Sequence, residues 1–175
     1  MPSAALERHP ATACSALRGI RVSIRRKPDG MQVAYALEGE IERLRIPPPR
    51  PPRSAERLWQ HTCCELFIAR AGLPGYREFN FSPSGEWAAY AFERYREGAQ
   101  ALDVPPEIVV RQGTDRLELT ASIPLHETEK LVTGVSAVIE EQSGTLSYWA
   151  LRHAPGKPDF HHPQAFAMEL DEVRD

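Results

Sequence analysis

Residues 58–92 read LWQHTCCELFIARAGLPGYREFNFSPSGEWAAYAF, and this stretch decides the fold. It holds three runs of alternating apolar residues, at 62–69, 76–82 and 86–92, separated by two clusters rich in Gly, Pro and Ser. Short aromatic-rich runs bounded by such clusters are typical of antiparallel strands joined by tight turns. No apolar spacing of about 3.6 residues indicates an amphipathic helix here. The stretch therefore predicts a three-stranded meander at the centre of the sheet.

Side chains alternate between the two faces of a strand, so each run divides into two sets. We predict that one set is buried between two sheets, namely Cys64, Leu66, Ile68, Phe79, Phe81, Tyr90 and Phe92. The opposite face then carries Glu65, Asn80 and Trp87 beside small residues, a composition suited to a shallow ligand-binding groove. A shift of one residue in register would reverse this assignment.

The rest of the chain continues the pattern of short strands. Alternating residues predict strands at 20–27, 31–38, 108–111, 116–123, 135–140, 146–152 and 165–170, with a weaker extension at 39–46. We expect an irregular arm at 1–18, a polar connection at 94–104 and one helical turn at 125–131. About ten short strands with almost no helix signal predict one all-β domain over residues 1–175. The expected architecture is an antiparallel β-sandwich of jelly-roll type.

Composition narrows the functional class. A chain of 175 residues with 42% apolar and 26% charged residues is ordinary for a soluble globular protein. A formal charge of -3 gives no electrostatic reason to expect nucleic acid or an anionic membrane as a partner. The N-terminus lacks the basic start and unbroken apolar core of a secretion signal, and the 3 cysteines make no disulfide framework. These features predict a cytoplasmic protein.

Proline is unusually frequent, with 16 residues in the chain. Residues 47–53 read PPPRPPR, which has the spacing of a polyproline ligand for another protein. The alternative is a stiff crossover between the two sheets, because proline fixes its own backbone angle. We favour the crossover, and a protein-docking role stays open.

A second informative stretch, SYWALRHAPGKPDFHHP at 147–163, runs from a strand into a proline-rich loop. Rigid loops dense in polar residues often carry binding sites. The polar residues of this loop are His153, Lys157, Asp159, His161 and His162. Trp149 shares a strand face with His153, which predicts an aromatic platform beside an imidazole. We expect the loop to close one side of the groove.

The leading functional hypothesis is non-catalytic binding of a small saccharide. Sugars present apolar C–H faces and hydroxyl edges, so their sites combine aromatic plates with polar hydrogen-bonding groups. We predict that Glu65 and Asn80 bind hydroxyl groups and that Trp87 or Trp149 stacks on a sugar ring. Lys157 or His153 would close the rim of the groove. The alternative for both tryptophans is that they fill the core.

Two further interpretations remain open. His153, Asp159, His161 and His162 have the ligand types of a divalent metal site, although adjacent histidines point apart in an extended chain. Haem would need an axial pair such as Met31 or Met168 with a loop histidine. The alternative for the histidines is hydrogen-bonded anchoring of the loop. No cofactor is required by the pattern.

Enzyme activity is not indicated by any motif. The sequence has no G-x-S-x-G nucleophile elbow, phosphate-binding glycine loop or zinc-hydrolase motif. Cys63 and Cys64 have no evident activating partner, so burial is the simplest expectation for both. We therefore expect a binding protein rather than an enzyme.

The chain also resembles a bacterial DOMON-like family, which is related in fold to the family 9 carbohydrate-binding modules. The resemblance lies in LWQHTCCELFI (58–68), YREFNFSPSGEWAAYAF (76–92), ASIPL (121–125) and SYWALRHAPGKPDFHH (147–162). It implies a jelly-roll β-sandwich whose wider relatives bind sugars or haem, some of them with structural calcium. The resemblance also implies that Glu65 and Asn80 lie in the family's polar groove and that Trp149 lies near its rim.

Overall fold

The computed structural model describes residues 1–173, and its regular structure is almost entirely β-strand. The twelve strands are β1 Ser3–Arg8, β2 Leu17–Lys27, β3 Gly30–Gly39, β4 Cys63–Arg70, β5 Tyr76–Phe81, β6 Trp87–Phe92, β7 Gln100–Ala101, β8 Glu107–Gln112, β9 Arg116–Pro124, β10 Leu131–Glu140, β11 Leu146–Ala150 and β12 Met168–Leu170. Three single-turn 3-10 helices, Ile41–Arg43, Leu58–Gln60 and Pro163–Ala165, complete the elements. Within this part of the chain no helix has the length and hydropathy that a bilayer crossing requires.

The strands form one curled antiparallel sheet in the order β7-β6-β5-β4-β10-β11-β1-β2-β3-β9-β8, with β12 paired to β10. The curl is made by β1, whose first residues pair with β2 while Glu7 and Arg8 pair with β11. This divides the sheet into two layers that enclose a core. We call β2, β3, β8 and β9 the first layer, and β4 to β7 with β10 to β12 the second layer. The predicted all-β antiparallel sandwich of jelly-roll type is confirmed.

The core lies between the two layers and follows the alternation of the strands. In β3 the side chains of Met31, Val33, Tyr35 and Leu37 are all buried, and Leu66 and Ile68 of β4 belong to the same cluster. Each aliphatic side chain of this size contributes about 1.5–3 kcal/mol when fully buried. A rigid first layer thus fixes the position of β4 and, through it, of the strands that β4 pairs with.

The proline-rich segment 47–53 carries the chain from β3 in the first layer to β4 in the second. It is held by two backbone hydrogen bonds, from Arg50 N–H to Ser84 O at 2.8 Å and from Trp87 N–H to Arg53 O at 3.0 Å. The interpretation of this segment as a rigid crossover is confirmed. Its spacing as a protein ligand stays a prediction.

Three local predictions are wrong. The expected irregular arm at 1–18 contains β1, in which only Leu6 is buried, so no alternation was visible in the sequence. Beyond Gly39 the predicted extension to residue 46 forms no strand, because the 3-10 helix at 41–43 turns the chain away from β3 and Leu44 makes only an isolated bridge to Glu141. The helical turn expected at 125–131 is absent: residues 125–130 form no helix, and Leu131 begins β10. The carbonyls of Glu127 and Glu129 accept instead from the Arg26 guanidinium at 2.5 and 2.9 Å.

Candidate functional site

The outer face of the second layer, which points away from the core, is unusually apolar. It carries a separate buried cluster of Phe67, Ala69, Tyr76, Val138, Ala150 and Phe160. Five of these come from strands, while Phe160 comes from the loop at 151–167. Through Phe160 the loop therefore lies against this face and covers part of it.

A cavity of about 650 Å³ opens between the outer face, the loop and the connection that follows β6. Its lining is Trp59, Glu65, Glu78, Asn80, Tyr90, Phe92, Arg96, Ala99, Val138, Tyr148, Lys157, Pro158, Phe160 and His161. Five of these side chains are aromatic rings and six are charged or hydrogen-bonding groups. A volume in the range of about 300–1,000 Å³ with mixed walls of this kind is typical of small-molecule sites.

A second cavity of about 630 Å³ lies beside the proline crossover. It is lined mainly by charged and small residues, including Arg53 and Glu86, which form an ion pair at 2.8 Å. No Trp, Tyr or Phe side chain lines it. Because it offers no aromatic surface and its Arg53–Glu86 pair is already satisfied, we regard the outer-face cavity as the functional site.

The polar floor of the outer-face cavity is set by strand pairing. Glu65 of β4 lies directly opposite Asn80 of β5 on one side and Ser136 of β10 on the other. Glu78 lies opposite Phe67, so it is the diagonal neighbour of Glu65. Diagonal side chains on one sheet face are about 7–8 Å apart at the backbone, within reach of long side chains. Two carboxyl groups and an amide are thereby brought together on one buried surface.

Burial changes the proton affinity of both carboxyl groups. Removal from water, followed by the nearby charge of Glu78, raises the pKa of Glu65 well above its ordinary range, although Ser136 Oγ donates to it at 3.5 Å. Burial also raises the pKa of Glu78 to about 7, against the lowering effects of a hydrogen bond from Asn80 and the charge of Arg96. Two adjacent carboxyl groups in one dry site do not both ionise readily, so the pair retains a proton near neutral pH.

His161 connects the loop to this floor. Its Nδ1 lies 2.8 Å from the hydroxyl of Tyr76, and its Nε2 lies 3.5 Å from Glu78 Oε2. Arg96 N–H donates to the same hydroxyl at 3.1 Å, so the Tyr76 hydroxyl donates its own proton to Nδ1. Burial, with the charge of Arg96 as a second cause, lowers the pKa of His161 to about 4. The ring is therefore neutral at pH 7, with Nε2–H facing Glu78.

Asp159 fastens the loop from the other side. Its carboxylate accepts from Arg96 at 2.8 Å, from the His161 backbone N–H at 3.1 Å and from the Tyr95 hydroxyl. Burial would raise the pKa of Asp159, but the hydrogen bonds from Tyr95 and Arg96 lower it below its ordinary value. Asp159 is thus a structural anchor that also engages the Arg96 guanidinium.

The structure brings four of the predicted site residues together in the cavity: Glu65, Asn80, Lys157 and His161. Asp159 lies directly behind it. His153 lies outside the cavity, where Nε2 contacts Glu7 O at 2.7 Å and the ring meets the edge of His9. His162 accepts from Gln164 N–H and caps the last 3-10 helix. These last two histidines anchor the loop, and a ligand-binding role for any predicted residue stays a prediction.

The predicted positions of Trp87 and Trp149 in the groove are wrong. Both belong to the core cluster between the layers, and Trp149 Nε1–H donates to Ser147 Oγ at 2.9 Å. Trp87 pairs with Phe81 across the turn between β5 and β6, so it shares the inward face of Phe81. The same pairing moves Tyr90 and Phe92, which we expected in the core, to the outer face with Glu78. The tryptophans fill the core, the alternative stated above.

Sequence reasoning missed several lining residues. Glu78 could have been found, because it alternates with Asn80 on the same strand and must share its face. Tyr148 precedes the core residue Trp149 and so points outward by the same rule. Trp59 lies in a single-turn 3-10 helix and Arg96 and Phe160 lie in loops, where no periodicity of the sequence predicts side-chain direction.

Residues 1–173 contain no preformed metal-binding site. Within that range no group of three or more His, Cys, Asp or Glu side chains is arranged to hold a metal ion. The histidines of the loop are spread over three separate contacts, with Glu7, with Tyr76 and with Gln164. The metal and haem hypotheses stay predictions without a located site.

Comparison with known proteins relates the chain to carbohydrate-binding structures. No protein-family model matches the chain, and no curated protein matches it in sequence. A candidate carbohydrate-binding protein from Bacteroides uniformis superposes with a TM-score of 0.66 at 13% identity, covering 94% of this chain and 83% of the other.

Two structures of a family 9 carbohydrate-binding module from Caldicellulosiruptor kristjanssonii are also similar. The glucose complex gives a TM-score of 0.52 at 10% identity over 86% of this chain and 76% of that one. The cellotriose complex gives 0.53 at 9% identity over 86% and 74%. Membership of a DOMON-like family stays a prediction. At these identities the comparisons establish architecture, and the chain shares the β-sandwich fold of the family 9 carbohydrate-binding modules.

Proposed function

We propose that this protein is a non-catalytic saccharide-binding module and that the outer-face cavity holds the sugar. The observation that carries the proposal is the lining of the cavity, in which aromatic rings surround a floor of two carboxyl groups and a buried amide. Aromatic faces pack against the C–H surfaces of a sugar ring, while acids and amides exchange hydrogen bonds with hydroxyl groups. Both halves of that chemistry meet in one concavity.

The proposed roles follow from position. Glu65, Glu78 and Asn80 form the floor and would hydrogen-bond sugar hydroxyl groups. Trp59 lies at the mouth of the cavity and is 50% exposed, which leaves its face open for a sugar ring. A large aromatic side chain exposed beside a polar concavity is a common feature of ligand sites. Lys157 stands at the rim on the loop.

The structural neighbours support the choice of ligand class. The family 9 module from Caldicellulosiruptor kristjanssonii is in complex with glucose in one structure and with cellotriose in the other. The neighbour from Bacteroides uniformis is likewise a candidate carbohydrate-binding protein. A saccharide therefore suits both the shared fold and the chemistry of this cavity.

The test is isothermal titration calorimetry of the intact protein with glucose, cellobiose, cellotriose and their 2-amino and 2-acetamido counterparts. We expect at least one of these sugars to bind and Trp59→Ala to weaken binding about tenfold, because the loss of one stacking contact costs roughly 1.4 kcal/mol. Val109→Ala is the matched control, because Val109 is 47% exposed but lies on β8 in the opposite layer. That variant should bind like the parent.

Two results would contradict the proposal. One is the absence of heat for every sugar in the panel with a protein that unfolds cooperatively. The other is binding that is unchanged in Trp59→Ala and also in Asn80→Ala, since a sugar bound elsewhere would not respond to either change.

A further inference from the structure

The floor of the outer-face cavity is rich in hydrogen-bond acceptors. Asn80 is 1% exposed and lines the cavity, and its Oδ1 has no hydrogen-bond partner within residues 1–173. The Asn80 amide lies beside Glu78, whose pKa it lowers, and Oδ1 is its unpartnered atom. A buried acceptor without a partner is costly, by about 1–3 kcal/mol, and indicates a missing donor.

The two carboxyl groups beside Asn80, those of Glu65 and Glu78, also accept few hydrogen bonds. Glu65 receives one long hydrogen bond from Ser136 Oγ, at 3.5 Å. Glu78 faces His161 Nε2 at 3.5 Å. A carboxylate has about four acceptor positions, so most of this capacity is unused.

The cationic groups at the cavity do not supply the missing donors. Arg96 directs its guanidinium to Asp159 at 2.8 Å, an ion pair outside the floor. Lys157 is exposed at the rim. His161 is neutral near pH 7 because its pKa is lowered to about 4, mainly by burial. A donor for Asn80 Oδ1, and further donors for Glu65 and Glu78 beyond Ser136 and His161, can be supplied by a ligand.

The walls above the floor favour a positive charge. Four aromatic rings line the cavity beside the acids: Tyr90, Phe92, Tyr148 and Phe160. The faces of such rings attract cations, and the attraction strengthens when water is excluded. Acids below and aromatic faces around are the two elements by which proteins bind an ammonium group.

We propose that the saccharide held in this cavity is an amino sugar, whose ammonium group donates to Glu65, Glu78 and Asn80 Oδ1. This inference rests on the proposed saccharide-binding function and names the class of sugar. An ammonium carries three donors and one positive charge, which match one unpartnered amide oxygen and an acidic pair with acceptor positions to spare. On binding, the proton that the carboxyl pair shares is released to solvent, because the ammonium takes over its role.

The test compares three disaccharides that differ only in the group at C2: cellobiose with a hydroxyl, chitobiose with a free amine and di-N-acetylchitobiose with an acetamide. Calorimetry with the intact protein near pH 7 should show chitobiose binding at least about tenfold more tightly than either of the others, as expected for a charge-assisted bond. Repeating the titration in buffers of different ionisation enthalpy should show release of up to one proton with chitobiose and none with cellobiose.

Charge-neutral variants locate the effect. Glu78→Gln and, independently, Glu65→Gln should each cut the preference for chitobiose over cellobiose, measured within the same variant, to within about threefold. Glu141→Gln is the matched control, because Glu141 is also a buried glutamate. Its carboxylate accepts hydrogen bonds from Ser15 Oγ and the Ala16 N–H and does not line the cavity. That variant should keep the full preference.

The outcomes separate the two proposals. If cellobiose binds as tightly as chitobiose and Trp59→Ala still weakens both, the amino-sugar inference is wrong and saccharide binding stands. If the preference for chitobiose survives in both glutamine variants, the inference is also wrong. If none of the sugars binds, the proposed function fails together with the inference.

Discussion

Glu78 and His161 face each other across the cavity, and the protons they bind affect stability in opposite directions. The pKa of Glu78 is raised to about 7 in the folded protein, so the stability it contributes is complete below its unfolded pKa of 4.5 and is lost as pH rises through 7. The pKa of His161 is lowered from 6.5 to about 4, so its contribution is lost as pH falls through that range. The two ranges overlap, and there the opposite pH dependences of stability partly cancel in the parent protein.

Glu78→Gln removes one of the two effects. The free energy of unfolding of the variant should rise relative to the parent between about pH 5 and pH 8, by on the order of 3 kcal/mol, because the parent must ionise a buried acid. Urea denaturation of both proteins across this range measures the difference. Glu118→Gln, which changes a half-buried acid on β9 in the first layer, serves as control. A constant difference between parent and variant would show that Glu78 is an ordinary acid.

Trp59 provides an optical readout of the site. The other two tryptophans are buried in the core, whereas Trp59 lies at the mouth of the cavity. Trp59→Phe should keep an aromatic face and lose no more than about threefold in sugar affinity by calorimetry, yet abolish the change in tryptophan fluorescence on binding. A fluorescence response that persists in Trp59→Phe would place the sugar near Trp87 or Trp149 instead.

At the scale of elements, the loop at 151–167 converts a sheet face into a cavity. Phe160 buries an apolar ring against the outer face, while Asp159 and His161 bind groups on the turn after β6 and on β5. Three prolines, Pro155, Pro158 and Pro163, restrict the loop backbone. Since the outer face of a sandwich is otherwise open to water, the wall that carries Phe160 and His161 exists only while the loop is held down.

Asp159→Ala should loosen this wall without unfolding the sandwich. A partly exposed ion pair contributes only about 0.2–1 kcal/mol, so the global free energy of unfolding should fall by no more than about 1 kcal/mol. Amide hydrogen exchange in residues 156–162 should become faster, because local opening costs less once Arg96 and Tyr95 lose their partner.

The control for that change is Glu169→Ala, which breaks the exposed pair with Lys130 and removes none of the Asp159 contacts. Exchange in the loop should be unaffected there. If Asp159→Ala also leaves hydrogen exchange in the loop unchanged, the apolar contact of Phe160 alone holds the loop. The hydrogen bonds of Asp159 would then not stabilise the loop.

At the scale of the whole molecule, the site depends on how the two layers are locked together. The hydroxyl of Tyr35, in the first layer, crosses the core and donates to the backbone carbonyl of Glu65 in the second layer at 2.7 Å. Burial raises the pKa of this hydroxyl well above its ordinary value, so it stays protonated and remains a donor. The residue whose side chain forms the cavity floor is thus fixed through its backbone from the opposite layer.

Tyr35→Phe tests that link. Loss of one buried hydrogen bond should lower the free energy of unfolding by about 1–2 kcal/mol, measured by urea denaturation. Tyr90→Phe is the control, because the Tyr90 hydroxyl makes no hydrogen bond within residues 1–173. Equal stability in the two variants would mean that the bond between the layers makes no net contribution.

The sequence by itself determined the strands, the turns and the sandwich. Alternation with period two is a local property, so β2, β3, β4, β5 and β9 appear close to their observed bounds. The same rule placed Glu65 and Asn80 on their strands, and the tertiary pairing shows that they share the outer face. Local signals failed where burial was slight, as in β1, whose pairing at the junction of the layers leaves no periodic pattern.

Only the tertiary structure decided which face each strand turns outward relative to its neighbour. Parity within β6 was clear from the sequence, but the pairing of Trp87 with Phe81 depends on the conformation of the intervening turn. That one choice buried Trp87 and exposed Tyr90 and Phe92 to the cavity. Trp59, Arg96 and Phe160 lie outside the strands, in a 3-10 turn and in loops, where the sequence has no periodicity that predicts side-chain direction. Their directions are set by long-range contacts, because each of them is positioned by residues distant in the chain.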